Sequence, residues 1–280
     1  MPELPEVQTV VDDLNHAVVG YSIRGVWFDW PRMIKAPTRI KFLLHDLKNR
    51  KILKVERRAK YIKIYLSDGW LLVFHLKMTG RFRFVKQKLI TLQWRRDNYA
   101  HFILFLNKGM ALVFSDVRKF GTVRFAKSAD IENLSEFETL GPEPLIKSFN
   151  VEKFGDILKS TSRKIKQVLM DPKMIAGIGN IYSDEALWLA KINPVRRANN
   201  LNIVEIKSLL IAIKKILNKS LLLRGTSSRD YRDLSGKQGN YYDQRLVYYR
   251  ENERCRRCGT KIKRLRIGGR SVHFCPKCQS

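Results

Sequence analysis

The sequence predicts an α+β, multidomain protein: an N-terminal antiparallel sandwich or barrel with flanking helices, then a helical region, then a small basic cysteine module. Three observations predict it. Short β-type runs with turn residues between them fill residues 22–126. Apolar residues at helical spacing dominate 151–222. The only four cysteines all fall after residue 254.

Taken in order, residues 4–18 form an amphipathic helix. Val7, Val10, Val11, Leu14 and Val18 share one face, and Gly20 is the stop. Strands are expected at 22–28, 51–57, 60–67, 70–76, 81–85, 101–106, 110–115 and 121–126. Asp68-Gly69 and Asn107-Lys108-Gly109 are hairpin turns. Gly141-Pro142-Glu143-Pro144 suits neither a helix nor an inner strand and marks a linker. Helices follow near 151–158, 163–170, 181–190 and 203–222. The last is clearest, with Ile206, Leu209, Leu210, Ile213, Ile216 and Leu217 on one stripe. Residues 224–243 read as a polar, Gly-rich loop. The expected domains are 1–131, a linker at 132–150, 151–243, and 244–280.

Lys plus Arg number 54 and Asp plus Glu 26, a formal charge of +28. Such a balance points to a polyanionic partner, and nucleic acid leads because Lys/Arg surfaces neutralise phosphates and release counterions. An anionic membrane surface is second, since no concentrated Lys-rich amphipathic tail is present. No apolar run nears the roughly 18 residues of a bilayer span. The first residues lack a basic, then apolar, leader, so a cytoplasmic protein is expected. The charge is uneven. Arg24 is the first basic residue, behind Glu3, Glu6, Asp12 and Asp13, whereas residues 245–280 carry 11 Lys/Arg against Glu251 and Glu253.

Cys255, Cys258, Cys275 and Cys278 form C-x2-C, 16 residues, C-x2-C. Thiolates at this spacing suit tetrahedral Zn²⁺, with the intervening segment as a hairpin. Disulfides are the competing reading, disfavoured without a secretion signal. One zinc per chain is expected. Its four protein ligands leave no open position, so it is structural.

Trimming of Met1 would leave Pro2 with a secondary amine able to attack an aldehyde-level carbon. Glu3 beside it, and Glu6 one turn on, could act as acids. Ordinary helix initiation by Pro and Glu is the competing reading.

Met1-Pro2-Glu3-Leu4-Pro5-Glu6-Val7 closely resembles the opening of the bacterial formamidopyrimidine-DNA glycosylases, the Fpg/MutM family. Further blocks agree in order: Arg57-Arg58-Ala59-Lys60-Tyr61, His75-Leu76-Lys77-Met78-Thr79-Gly80, Asp116-Val117-Arg118-Lys119-Phe120-Gly121, and Leu140 to Leu145. Asp171 to Glu185, with Gly177-Ile178-Gly179-Asn180, resembles that family's helix–two-turn–helix element, and the cysteine module with Gly268-Gly269-Arg270 its zinc finger. The resemblance spans essentially the whole chain. It implies an N-terminal β-sandwich, a helix–two-turn–helix domain and a zinc-finger β-hairpin. It also implies a monomeric base-excision enzyme that flips oxidised purines out of damaged double-stranded DNA.

Carried over residue by residue, Pro2 is the Schiff-base nucleophile and Glu3 the acid. Lys60 and Arg270 serve proton transfer in β- and δ-elimination. Met78, Arg118 and Phe120 fill the gap left by the flipped nucleotide. His101, Lys119, Asn180 and Arg270 contact the DNA backbone. Gly225-Thr226-Ser227-Ser228, continuing to Gly239, matches the segment that covers the damaged base. Lys166 either adds charge near the two-turn element or lies on a solvated helix face. Ordinary packing is the competing reading for Met78 and Phe120.

The chain departs from the family pattern in places. Val117 stands for a proline, Lys119 for an arginine, and Lys77 for a small residue. Ser162-Arg163-Lys164 does not cleanly keep the usual lysine. Two alternatives remain: an endonuclease VIII-like glycosylase for oxidised pyrimidines, and a non-catalytic damaged-DNA binder.

Overall fold

The computed structural model describes residues 1–227 and 230–280. The chain divides into two compact units. The first comprises Met1–Glu138 with Arg224–Asn240, and the second Thr139–Leu223 with Tyr241–Ser280.

The first unit contains α1 (Leu4–Val18), β1 (Ile23–Phe28), α2 (Leu43–Leu47), β2 (Ile52–Arg58), β3 (Tyr61–Leu66), β4 (Trp70–His75), β5 (Gly80–Lys86), α3 (Leu92–Asp97), β6 (Ala100–Leu106), β7 (Met110–Asp116), β8 (Thr122–Lys127), α4 (Ser128–Glu132) and α5 (Ser135–Glu138). The strands form two four-stranded sheets, ordered β1-β6-β7-β5 and β2-β3-β4-β8, with every neighbour antiparallel. This is a sandwich, because alternate residues of both sheets turn into one core. Phe74 of β4 packs against Phe82, Phe102 and Phe114 of the other sheet, with ring centroids 4.9–5.6 Å apart. The five apolar residues of α1 named above join the same core.

β2 would be an exposed edge, a liability in any open sheet. Asn15 of α1 covers part of it: its amide donates to the Val55 carbonyl at 2.6 Å and accepts from the Val55 N–H at 2.8 Å. Asp68 and Gly69, and Lys108 and Gly109, all take positive φ within the three-residue connections 67–69 and 107–109. α4 and α5 replace part of the stretch expected to be irregular.

The second unit contains α6 (Val151–Lys159), α7 (Ile165–Met170), α8 (Asn180–Leu189), α9 (Ile203–Leu222), β9 (Lys263–Ile267) and β10 (Arg270–Phe274). The stripe of α9 is buried as its spacing predicts. Asn202 and Glu205 close a capping box at its start. α7 begins at Ile165 because Lys164 bridges Arg197 in extended conformation. β9 and β10 pair with Arg270 opposite Ile267, so Gly268-Gly269 is a two-residue turn with both φ positive.

Residues 224–240 were expected within the helical domain. They belong instead to the first unit, because Tyr231 and Leu234 join the sandwich core and Arg224 reaches Asp13 of α1. Ser228 lies outside the described residues.

α8 organises the second unit. Glu185 is fully buried, and its carboxylate accepts from the N–H groups of Leu246, Val247 and Tyr248 and from the Tyr241 hydroxyl, at 2.8–3.0 Å. Glu185→Ala strands four buried donors, so it should lose about 3 kcal/mol or more of stability. Urea denaturation of the zinc-loaded protein checks this, and a loss under about 1 kcal/mol would contradict the role.

Candidate active site and nucleic-acid interface

At the head of α1, Pro2 and Glu3 are buried while Met1 is exposed. Glu6 turns back on the terminus: its carboxylate accepts the Glu3 N–H at 2.7 Å. Its other oxygen accepts the Thr226 N–H, also at 2.7 Å. One buried side chain therefore fixes both the first turn and residues 225–227. Gly225 passes so close that a Cβ there would lie 2.7 Å from the Glu6 carboxylate, and its φ is +84°.

Lys60 sits in the two-residue turn between β2 and β3, beside Ala59 at φ +53°. His75 ends β4, its ring edge-on to Tyr61 with centroids 4.7 Å apart. The His75 Nδ1 accepts the Lys77 N–H at 2.9 Å, which requires a neutral ring. Burial, with Lys77 and Lys60 nearby, pushes its pKa down to about 3.

The next loop carries Met78. It is tied to residues 116–121 through Asp116, which is buried. Asp116 accepts from the Thr79 hydroxyl, from the Arg118 N–H at 3.2 Å and from the Gly121 N–H at 2.6 Å. The three wedge candidates meet: the Arg118 guanidinium lies 3.0 Å from the Met78 sulfur and 4.6 Å from the Phe120 ring centre. Met78 is 40% and Phe120 50% exposed, so neither is a core residue.

Beside them opens a concavity of about 520 Å³, lined by Met1, Trp30, Arg32, Lys35, Lys77, Met78, Lys119 and Phe120 among others. Lys119 lies over the Trp30 ring at 4.6 Å. His101 is buried on β6, its Nδ1 2.8 Å from Asp29; among the described residues its Nε2 has no hydrogen-bond partner.

In the second unit Asn180 opens α8, and its amide donates to the Ser271 carbonyl at 2.9 Å, next to Arg270. Arg270, Arg163, Lys166, Gln167, Asp171 and Gly268 line a second concavity of about 240 Å³. Lys166 is not on a solvated face. It is 1% exposed, its ammonium 2.5 Å from Asp184, 2.7 Å from Ser183 and 2.9 Å from the Asn180 carbonyl. The other Asp184 oxygen accepts the His273 N–H of β10 at 2.9 Å. α8 thus sets the Asn180 turn and the Arg270 hairpin in one frame.

The sulfurs of Cys255, Cys258, Cys275 and Cys278 all lie within 4.8 Å of one another, with Cys255–Cys278 at 4.0 Å and Cys258–Cys275 at 3.5 Å. A tetrahedral site with Zn–S near 2.3 Å needs about 3.8 Å between sulfurs, so these residues fit zinc. The Trp188 indole N–H donates to the Cys255 sulfur at 3.3 Å, anchoring the site to α8.

These features meet an independent line of likeness. Residues 1–123 match the formamidopyrimidine-DNA glycosylase N-terminal domain, 140–232 its H2TH domain, and 252–280 the zinc finger found in FPG and IleRS. The chain belongs to the formamidopyrimidine-DNA glycosylase family. The formamidopyrimidine-DNA glycosylase of Herpetosiphon aurantiacus is 40% identical over 100% of both chains. The Lactococcus lactis Fpg in complex with abasic-site DNA superposes with a TM-score of 0.89 at 33% identity, covering 99% of each chain. MutM bound to DNA containing carbocyclic 8-oxo-G gives 0.89 at 36% identity and 100% coverage of both. Among the described residues no helix is long and apolar enough to cross a membrane.

Of the sequence-derived candidates, Pro2, Glu3, Lys60, Met78, His101, Arg118, Lys119 and Phe120 lie in the first unit. Asn180, Arg270 and the cysteines lie in the second. The sequence reading missed Trp30, Arg32 and Lys35, whose aromatic–basic alternation was the available signal. It quoted Asp116 within a family block but gave it no role.

The His75 shift gives a pH prediction. The folded pKa of about 3 lies below the ordinary 6.5, so the unfolded chain takes up the proton first. The contribution is intact above about pH 6.5 and is lost as pH falls towards 3, at up to ~1.4 kcal/mol per unit. His75→Asn, which keeps an acceptor for the Lys77 N–H, should make the acid limb of stability against pH shallower. Superimposable limbs in denaturant titrations would refute this.

Proposed function

We propose that this chain is a bifunctional DNA glycosylase and AP lyase that removes formamidopyrimidines and 8-oxoguanine from duplex DNA. The observation that carries this reading is the buried Pro2-Glu3 pair, with Glu6 fixing the Glu3 amide, in a chain of this family.

Once Met1 is cleaved, the Pro2 nitrogen is a secondary amine. Its lone pair attacks the sugar C1′, the bond to the damaged base breaks, and the base departs with the bonding electrons and takes up the proton shed by the Pro2 nitrogen. Glu3 supplies a proton to the ring oxygen as the sugar opens, leaving an iminium between Pro2 and C1′. That iminium is an electron sink, so the C2′ proton becomes acidic. Lys60 serves its transfer as the C3′–oxygen bond breaks, and Arg270 serves the second elimination at the other phosphate.

Met78, Arg118 and Phe120 occupy the vacated stack, with Arg118 hydrogen-bonding the orphaned cytosine. His101, Lys119, Asn180 and Arg270 hold phosphates, joined by Arg32 and Lys35 of the first concavity. Residues 225–227 cover the flipped base. The four cysteines hold zinc, which stabilises the hairpin that presents Arg270 and takes no part in the chemistry. The enzyme works as a monomer in the bacterial cytoplasm.

Borohydride should trap a covalent adduct on a duplex carrying 8-oxoguanine opposite cytosine, and mass spectrometry should place it on the Pro2 nitrogen of a chain lacking Met1. An adduct on a lysine, or none with verified processing and DNA binding, would reject the nucleophile. Glu3→Gln should bind the lesion duplex within a few-fold of wild type yet lose at least ~100-fold in excision, the usual contribution of a positioned acid. Unchanged single-turnover excision would remove Glu3 from that role.

A further inference from the structure

The acidic stretch of α1 is only partly explained by Glu3 and Glu6. Asp13 lies two turns further along the helix, and its partner is Arg224. The Arg224 guanidinium donates to both Asp13 oxygens at 2.7 and 2.9 Å, and to Asp233 at 2.8 and 3.1 Å. Asp233 is buried and also accepts the Lys237 N–H at 2.8 Å. Asp13 further accepts the Leu234 N–H at 3.3 Å. One arginine thus ties helix α1 to both the outgoing and the returning limbs of residues 224–240.

Arg224 also has φ +60°, a left-handed conformation that L-residues rarely adopt. At the same neck Thr226 bridges Asn240, and the Gly239 N–H donates to the Ser227 hydroxyl at 2.9 Å. Gly239 crosses so close that a Cβ would lie 2.3 Å from the Gly225 carbonyl oxygen. The neck then delivers the Thr226 N–H to Glu6, the residue that holds Glu3.

We propose that Asp13, Arg224 and Asp233 are a positioning cluster that fixes residues 225–227 against the catalytic N-terminus, where they read the damaged base. None of the three touches substrate. The cluster should therefore matter for excising a base and not for cleaving at a site that has none. This rests on the glycosylase and lyase reading above, whose own failure would show in the wild-type protein, as absence of both activities.

The experiment compares two substrates under single-turnover conditions with full-length, zinc-loaded protein. One duplex carries 8-oxoguanine opposite cytosine, the other a preformed abasic site. Arg224→Ala should slow base excision about tenfold or more, the scale expected when a reading group is misplaced, with abasic-site cleavage within about twofold of wild type. Arg224→Lys, which keeps the charge, should recover most of the loss. Asp13→Asn should show the same split more weakly, and it carries the test if Arg224→Ala does not fold. Excision at the wild-type rate in these variants would overturn the proposal. So would an equal fall in both activities, which would make the cluster a general support of the fold.

Discussion

A buried carboxylate costs several kcal/mol unless donors surround it, and this constraint shapes several loops that carry candidate site residues. The chain has 26 acids to 54 bases, so cations were available to pair with each buried acid. Backbone amides do much of that work instead. Glu6 takes those of Glu3 and Thr226. Asp116 takes those of Arg118 and Gly121. Asp184 takes that of His273, Glu185 those of residues 246–248, and Asp233 that of Lys237. A backbone donor cannot swing away as a lysine can. Each such acid therefore fixes the path of a loop, and Asp184 and Asp233 take a cation as well, Lys166 and Arg224.

The proposed wedge of Met78, Arg118 and Phe120 shows what this achieves. Inserting side chains into a base stack opposes a few kcal/mol of unstacking, and ordering each long side chain costs about 0.5–1.5 kcal/mol more. Arg118 touches both Met78 and Phe120. On the proposed reading, these contacts would meet part of the ordering cost during folding. Asp116 makes that possible, because it joins the Met78 loop through Thr79 to the Arg118 loop.

Local pattern made the secondary structure legible. Strand alternation and the α9 stripe are properties of adjacent residues, and the observed strands fall within a residue or so of the expected ones. The zinc site was legible for the same reason, since its ligands come as two close pairs. Lys166 was not. Its sequence neighbours allow a solvated lysine, and only Asp184, eighteen residues away, shows that it is an interior ion pair. Residues 224–240 were misassigned on similar grounds. Composition identified a polar loop, but its partners Glu6 and Asp13 are over 200 residues distant in the chain.

The departure at Val117 can be weighed on the same terms. The family's usual proline would restrict the unfolded chain and favour the folded loop by about 0.4–1 kcal/mol. Val117 forgoes that and is exposed, so packing does not replace it. Asp116, immediately before it, holds the loop by accepting from the Thr79 hydroxyl and the amides of Arg118 and Gly121. Lys119 fits the same logic. It loses the arginine fork, but the Trp30 ring beneath it at 4.6 Å holds the ammonium over the basic concavity. The loop keeps its charge, and on the proposed reading Lys119 gives up only the bidentate geometry of an arginine at a phosphate.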